Sequence, residues 1–231
     1  MSTNTSDTAR TKPPRTSRRS TTDKGRGPAL RYGVIGLAVI AVLAAVFTAN
    51  APGGQVTADN PSGYAFEVGD PATGPAPGFE LPAAAGGTVA LDDYAGQDVL
   101  LYFQEGLMCQ PCWNQLTDIE AQWSEFEALG IDGVVSITGD PLDALAQKVE
   151  LEGIDAPVLS DQGLEASQTY DAQAYGMMGG STNGHTFVLV GPDGEIRWRA
   201  DYGGAPDYTM YLPVDDLLTD LRAGIDGQAQ G

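Results

Sequence analysis

The chain is short of cysteine and histidine, the residues on which zinc and soft-metal sites are built. Its 231 residues include two cysteines and one histidine. A structural zinc site takes four ligands, so Cys109, Cys112 and His185 together fall short of one. Basic side chains are scarce beyond the N-terminus. Residues 1–31 hold eight Lys/Arg against Asp7 and Asp23, whereas the rest of the chain holds four Lys/Arg against 29 Asp/Glu. A domain with that charge repels phosphates, which excludes nucleic acid as a partner. The simplest effect of the charge is solubility. There is no internal repeat, and nothing calls for a cofactor.

What is present is distributed unevenly. Tyr32 to Ala49 reads YGVIGLAVIAVLAAVFTA, without a charge and without a polar stripe. Eighteen helical residues reach about 27 Å, enough to cross a bilayer core. The segment therefore reads as one N-terminal transmembrane helix. Its basic flank keeps residues 1–31 cytoplasmic and sends the acidic domain across the membrane. Ala49-Asn50-Ala51 has the small-residue pattern of a cleavage site, but the long basic region ahead of it favours an uncleaved anchor. The expectation is a single-pass cell-membrane protein with an extracytoplasmic domain, where disulfides persist.

Composition divides the chain further. Residues 1–31 are rich in Ser, Thr, Pro and Arg and read as a disordered tail. Residues 50–78 are rich in Gly, Pro, Ala, Asp and Ser and read as a flexible linker. The folded domain is expected over 79–223, followed by a disordered tail over 224–231. Val99–Phe103 and Gly133–Thr138 are apolar runs of strand length, as buried parallel strands require. Trp113, Leu116, Ile119, Trp123 and Phe126 recur at helical spacing up to Gly130. Asp140 and Pro141 suit a helix start, with the helix running to Glu152. Thr186–Val190 and Glu195–Ala200 flank Gly-Pro-Asp-Gly, a hairpin signal. Val214–Ala223 closes the domain as a helix. The order predicts an α/β fold, a central mixed sheet flanked by helices.

Chemistry concentrates in Cys109-Gln110-Pro111-Cys112, where Val99–Phe103 hands over to its helix. Open α/β sheets build sites at that edge. Pro111 suits a first helical turn, because its missing N–H has no partner to lose there. Cys109 then stands at the helix N-terminus, where free N–H groups and the helix dipole favour a thiolate. Cys112 lies a turn deeper. The assignment is Cys109 attacking and Cys112 resolving. Glu105 opposes thiolate formation if it lies close. A static disulfide is the plainer alternative, although so short a loop constrains the unfolded chain very little. Soft thiolates with His185, Met177 or Met178 suit Cu(I) as another.

His185 is a candidate proton carrier for exchange if it stands beside the thiols. It follows the Gly-rich stretch Gly176–Gly184, and the plainer reading is a structural histidine. Trp113 reads as core or as the floor of a substrate groove. Arg197 and Arg199 share a strand face and read as paired with nearby acids.

Pro77-Gly78-Phe79-Glu80-Leu81, Thr88–Leu91, Val99–Phe103, the Cys-x-Pro-Cys tetrad and Thr186-Phe-Val-Leu-Val-Gly-Pro-Asp-Gly-Glu-Ile196 together resemble the redoxin group of the thioredoxin superfamily. That group includes membrane-tethered thiol–disulfide oxidoreductases and peroxiredoxins of the AhpC/TSA type. The resemblance implies a thioredoxin-like fold, with Cys109 and Cys112 as the reactive and resolving cysteines. It implies protein thiols or disulfides, or a small peroxide, as substrate, with a separate electron donor. Two departures stand out. No proline precedes Thr186, where thioredoxin-like oxidoreductases carry a cis-proline; Gly184-His185 is there instead. In the peroxiredoxin pattern P-x-x-x-T/S-x-x-C, Gly106 occupies the threonine position and Tyr102 the proline position. Copper chaperones of the Sco type, with two cysteines and a later histidine, are a third resemblance through Cys109, Cys112 and His185.

Overall fold

The computed structural model describes residues 60–228. The expected tail over 1–31 and membrane segment over 32–49 lie outside the described residues. Among the described residues no helix is long and apolar enough to cross a membrane.

In chain order the elements are β1 (Glu80–Pro82), β2 (Thr88–Ala90), β3 (Val99–Phe103), α1 (Gln110–Ala121), α2 (Trp123–Glu127), β4 (Gly133–Thr138), α3 (Leu142–Glu152), β5 (Val158–Ser160), α4 (Glu165–Thr169), β6 (Thr186–Val190), β7 (Ile196–Asp201) and α5 (Val214–Gln228). The main sheet runs β5-β4-β3-β6-β7. β3, β4 and β5 are parallel, and β6 and β7 join antiparallel. β1 and β2 form a separate antiparallel pair. This is the mixed α/β sheet expected from the order of apolar runs.

β3 is central because every one of its side chains is apolar enough to be buried. Val99, Leu101 and Phe103 face one core, and Leu100 and Tyr102 the other. The first core is closed by Ala83, Leu91, Tyr170 and Ala172. The second packs under α1, α3 and α5. On α5 the buried residues Val214, Leu217, Leu218 and Leu221 keep the spacing of one helical face. Burial of such side chains contributes roughly 1.5–3 kcal/mol each.

Register positions the site. Phe103 pairs with Thr186 on one side and Ile137 on the other. The chain therefore leaves β3 beside the entry to β6 and the exit from β4.

Three expectations are corrected. The linker expected over 50–78 is pinned to the domain from residue 60 onward. Asp220 accepts from the Asn60 amide at 2.9 Å and the Ser62 hydroxyl at 2.7 Å, and Asp201 accepts from Gly69 N at 2.7 Å. Glu67 pairs with Asp201 as an antiparallel bridge, and Tyr64 and Phe66 pack on the core. Glycine and proline composition signalled disorder, whereas buried carboxylates supply these side-chain and backbone donors with partners. The closing helix runs to Gln228, so the tail expected from 224 is helical at its start. The helix expected to run to Gly130 breaks at Gln122, and Trp123 and Phe126 stack at 5.6 Å in the short helix that follows.

Candidate active site

Between β3 and α1 the backbone turns through Gln104–Met108, and four hydrogen bonds fix the turn. Asp140 accepts from Leu107 N at 2.8 Å and from the Thr138 hydroxyl at 2.7 Å. The Gly106 carbonyl accepts from Cys109 N at 2.9 Å and from Trp113 Nε1 at 3.0 Å. Gln104 N donates to the Ile137 carbonyl, extending the sheet by one bond. Gly106 has φ 86°, and a Cβ built there lies 1.7 Å from Asp140 Oδ2 and 2.2 Å from Thr138 Oγ1. Only glycine fits this turn. Asp140 had suggested a helix cap; Pro141 holds that position instead, and Asp140 clamps the turn before α1.

Cys109 and Cys112 are joined in a disulfide with Cα atoms 5.3 Å apart. Cys109 caps α1, and its Sγ accepts from Cys112 N at 3.2 Å. Pro111 sits in the first turn, as its missing N–H predicts. Cys112 is fully buried and Cys109 is 5% exposed, so of the two residues only Cys109 reaches the surface. Tyr102 donates from its hydroxyl to the Cys112 carbonyl at 3.2 Å, and burial holds that phenol protonated. The Glu105 carboxylate accepts from Met177 N at 2.7 Å, and its carbonyl accepts from Thr182 Oγ1, so Glu105 anchors the loop 176–184.

Trp113 is wholly buried, so it does not floor an open groove. Lys148 reaches over its ring at 5.4 Å, ties α3 to α1 by donating to Gln110, and pairs with Glu152 within α3. Sequence spacing gave no signal for Lys148, whose contact spans 38 positions.

His185 does enter at the same sheet edge, but inside the core. It is fully buried, its Nδ1 lies 2.7 Å from the Thr209 carbonyl, and its ring meets Tyr102, Phe187 and Tyr202. A carbonyl partner makes Nδ1 the protonated nitrogen. Burial pushes the imidazole down to about 4, partly offset by the Thr209 bond. The imidazole is therefore neutral at physiological pH. Among the described residues no group of three or more His, Cys, Asp or Glu is placed to hold a metal. The copper set Cys109, Cys112 and His185 is therefore not assembled. Neither cis peptide bond among the described residues precedes Thr186; they join Asp70 to Pro71 and Ala205 to Pro206.

Arg197 and Arg199 pair locally as expected, with Asp98 and Asp201. The Arg199–Asp201 pair is fully buried and makes two bonds, at 2.8 and 2.9 Å.

Known proteins agree with this architecture. Rv2521 of Mycobacterium tuberculosis (strain H37Rv), provisionally assigned as a peroxiredoxin, is 34% identical over 125 residues covering 52% of this chain and 78% of that protein. Peroxiredoxin Bcp of Escherichia coli K12 is 30% identical over 125 residues, covering 53% of this chain and 80% of that protein. In three dimensions, AhpC of Enterococcus faecalis superimposes with a TM-score of 0.56 at 18% identity, covering 68% of this chain and 94% of that one. Peroxidoxin BcpB of M. tuberculosis gives 0.54 at 22% identity, covering 66% and 96%. At such identities these structures establish the thioredoxin-like fold alone. Residues 72–199, more than half the chain, match the AhpC/TSA family, and the chain belongs to that family.

Proposed function

We propose that this chain is a thiol–disulfide oxidoreductase in which Cys109 attacks and Cys112 resolves. The observation that carries the reading is the Cys109–Cys112 disulfide at the N-terminus of α1, with the outer sulfur facing Cys112 N. In the reduced state that N–H and the helix dipole stabilise a Cys109 thiolate. The thiolate attacks one sulfur of a substrate disulfide. A bond forms to Cys109, and the second substrate sulfur leaves as a thiolate. Cys112 then attacks Cys109 Sγ, which closes the observed disulfide and releases the first substrate sulfur. A dithiol donor returns the two electrons by the reverse exchange.

Relatives named as peroxiredoxins favour a second reading, reduction of a small peroxide. The Cys109 thiolate would then attack one peroxide oxygen, breaking the O–O bond to leave a sulfenic acid on Cys109 and releasing the other oxygen as water or an alcohol; the Cys112 thiol would condense with the sulfenic acid, closing the disulfide and releasing water. The turn opposes this reading at one position, because Gly106 leaves no room for a side chain that binds peroxide. The proposed site is extracytoplasmic on a single-pass anchor, a placement supported by the uncharged run over 32–49 and its basic flank.

The test compares disulfide exchange by the full chain in detergent with that of Cys109→Ser. The variant should lose at least about a hundredfold in rate. Full exchange by the variant overturns the proposal. Stopped-flow mixing of the reduced chain with hydrogen peroxide decides the second reading: oxidation no faster than that of free cysteine removes it.

A further inference from the structure

We propose that the groove along α1 beside the disulfide seats a polypeptide segment carrying a cysteine flanked by Lys or Arg. The inference deepens the thiol–disulfide reading and rests on it.

The groove measures about 490 Å³ and is lined by Pro111, Asn114, Thr117, Asp118, Glu152 and Tyr211. It begins at Pro111, one of the two residues between the cysteines. From Pro111 to Asp118 the helix rises about 10 Å, the length of roughly three extended residues. A peptide lying there keeps its own sulfur at the Cys109 end. Apolar contact is offered beside the groove and on its wall. Met108 is 93% exposed directly before Cys109, and Tyr211 is 36% exposed on the groove wall. Met177 and Met178 are exposed on the loop that Glu105 holds against the same sheet edge. Unbranched methionines adapt to partners of different shape.

Charge selects the occupant. Between residues 60 and 228 there are four Lys/Arg against 28 Asp/Glu, and Lys148, Arg197 and Arg199 are each paired with an acid. Inside the groove the ionic groups are Asp118, held by the Tyr211 hydroxyl at 2.6 Å, and Glu152, held by Lys148 and Gln110. Each carboxylate keeps an oxygen for a further donor. A cationic segment is attracted and an anionic one repelled. The partner's thiolate attacks Cys109 Sγ in the oxidised chain. The Cys109–Cys112 bond breaks, a bond from Cys109 to the partner forms, and Cys112 leaves as a thiolate that takes up a proton.

The experiment uses the oxidised full chain in detergent and two cysteine peptides, one with flanking arginines and one with flanking glutamates. Glutathione serves as a small-thiol reference. Wild type should prefer the cationic peptide by at least about tenfold in kcat/KM at low salt, with the preference shrinking at high salt. Asp118→Asn with Glu152→Gln should cut that preference several-fold. Asp92→Asn with Asp193→Asn makes the same charge change at the opposite end of β3 and should cut it less. A wild-type preference within about twofold overturns the groove proposal, as does an equal loss in the two double variants. Exchange with glutathione but no peptide preference rejects the groove and leaves the thiol–disulfide reading intact. No exchange with any thiol rejects both.

Discussion

His185 shows what burial does to one titratable group. Its folded pKa is about 4, lowered chiefly by desolvation, against an unfolded value near 6.5. Above pH 6.5 both states are neutral and the group contributes nothing to pH dependence. As pH falls from 6.5 towards 4 the unfolded state takes up a proton that the folded state refuses, so stability drops. The drop amounts to about 3 kcal/mol once pH is below the folded value. His185→Gln removes this component. Denaturant titrations at pH 7 and pH 4.5 should show a smaller loss for the variant than for wild type, and parallel losses would contradict the assignment. Gly106 makes the complementary case for backbone. With φ at 86° and Asp140 against its Cα, Gly106→Ala should destabilise the fold by on the order of 1–3 kcal/mol, read from the urea midpoint.

The element that matters most is the turn from β3 into α1, which borrows its rigidity from β4 through Thr138 and Asp140. Asp140→Ala strips the partner from Leu107 N and from the Thr138 hydroxyl, and each orphaned donor costs about 1–3 kcal/mol. The expected outcome is a lower urea midpoint together with a change in the alkylation rate of reduced Cys109, because the turn no longer sets the cap. Unchanged alkylation would mean the turn holds itself. Much of this region was legible in the sequence. Continuous apolar runs marked β3 and β4, Pro111 marked the start of α1, and the cysteine spacing marked the site. The clamp was not, because Asp140 lies 33 residues from Leu107 and a local rule gave its carboxylate a cap to make. His185 was legible as a residue at the right sheet edge, but its burial depends on Thr209 and Tyr202, which arrive from a later segment.

At the scale of the whole molecule, the N-terminal strap extends the domain beyond the boundary that composition indicated. Removing residues before 79 leaves buried Asp220 with the Tyr202 hydroxyl and without its Asn60 and Ser62 donors, and takes Gly69 N from Asp201. A fragment starting at 79 should therefore be less stable than one starting at 60 by several kcal/mol, on the order of 1–3 per unsatisfied buried group. Equal urea midpoints would show the strap to be dispensable. Composition concealed it because its donors, two side chains and two backbone N–H groups, find their carboxylate partners more than a hundred residues away. The proposed function rests on a closed cysteine pair at the N-terminus of α1 with Cys109 as the attacking sulfur, and that assignment is tested most directly by trapping. Full-length Cys112→Ser and Cys109→Ser chains, mixed with a disulfide substrate and resolved by mass, should differ sharply. Cys112→Ser should accumulate a stable mixed disulfide through Cys109, and Cys109→Ser should form none. A mixed disulfide through Cys112, or equal trapping by both variants, would contradict the account.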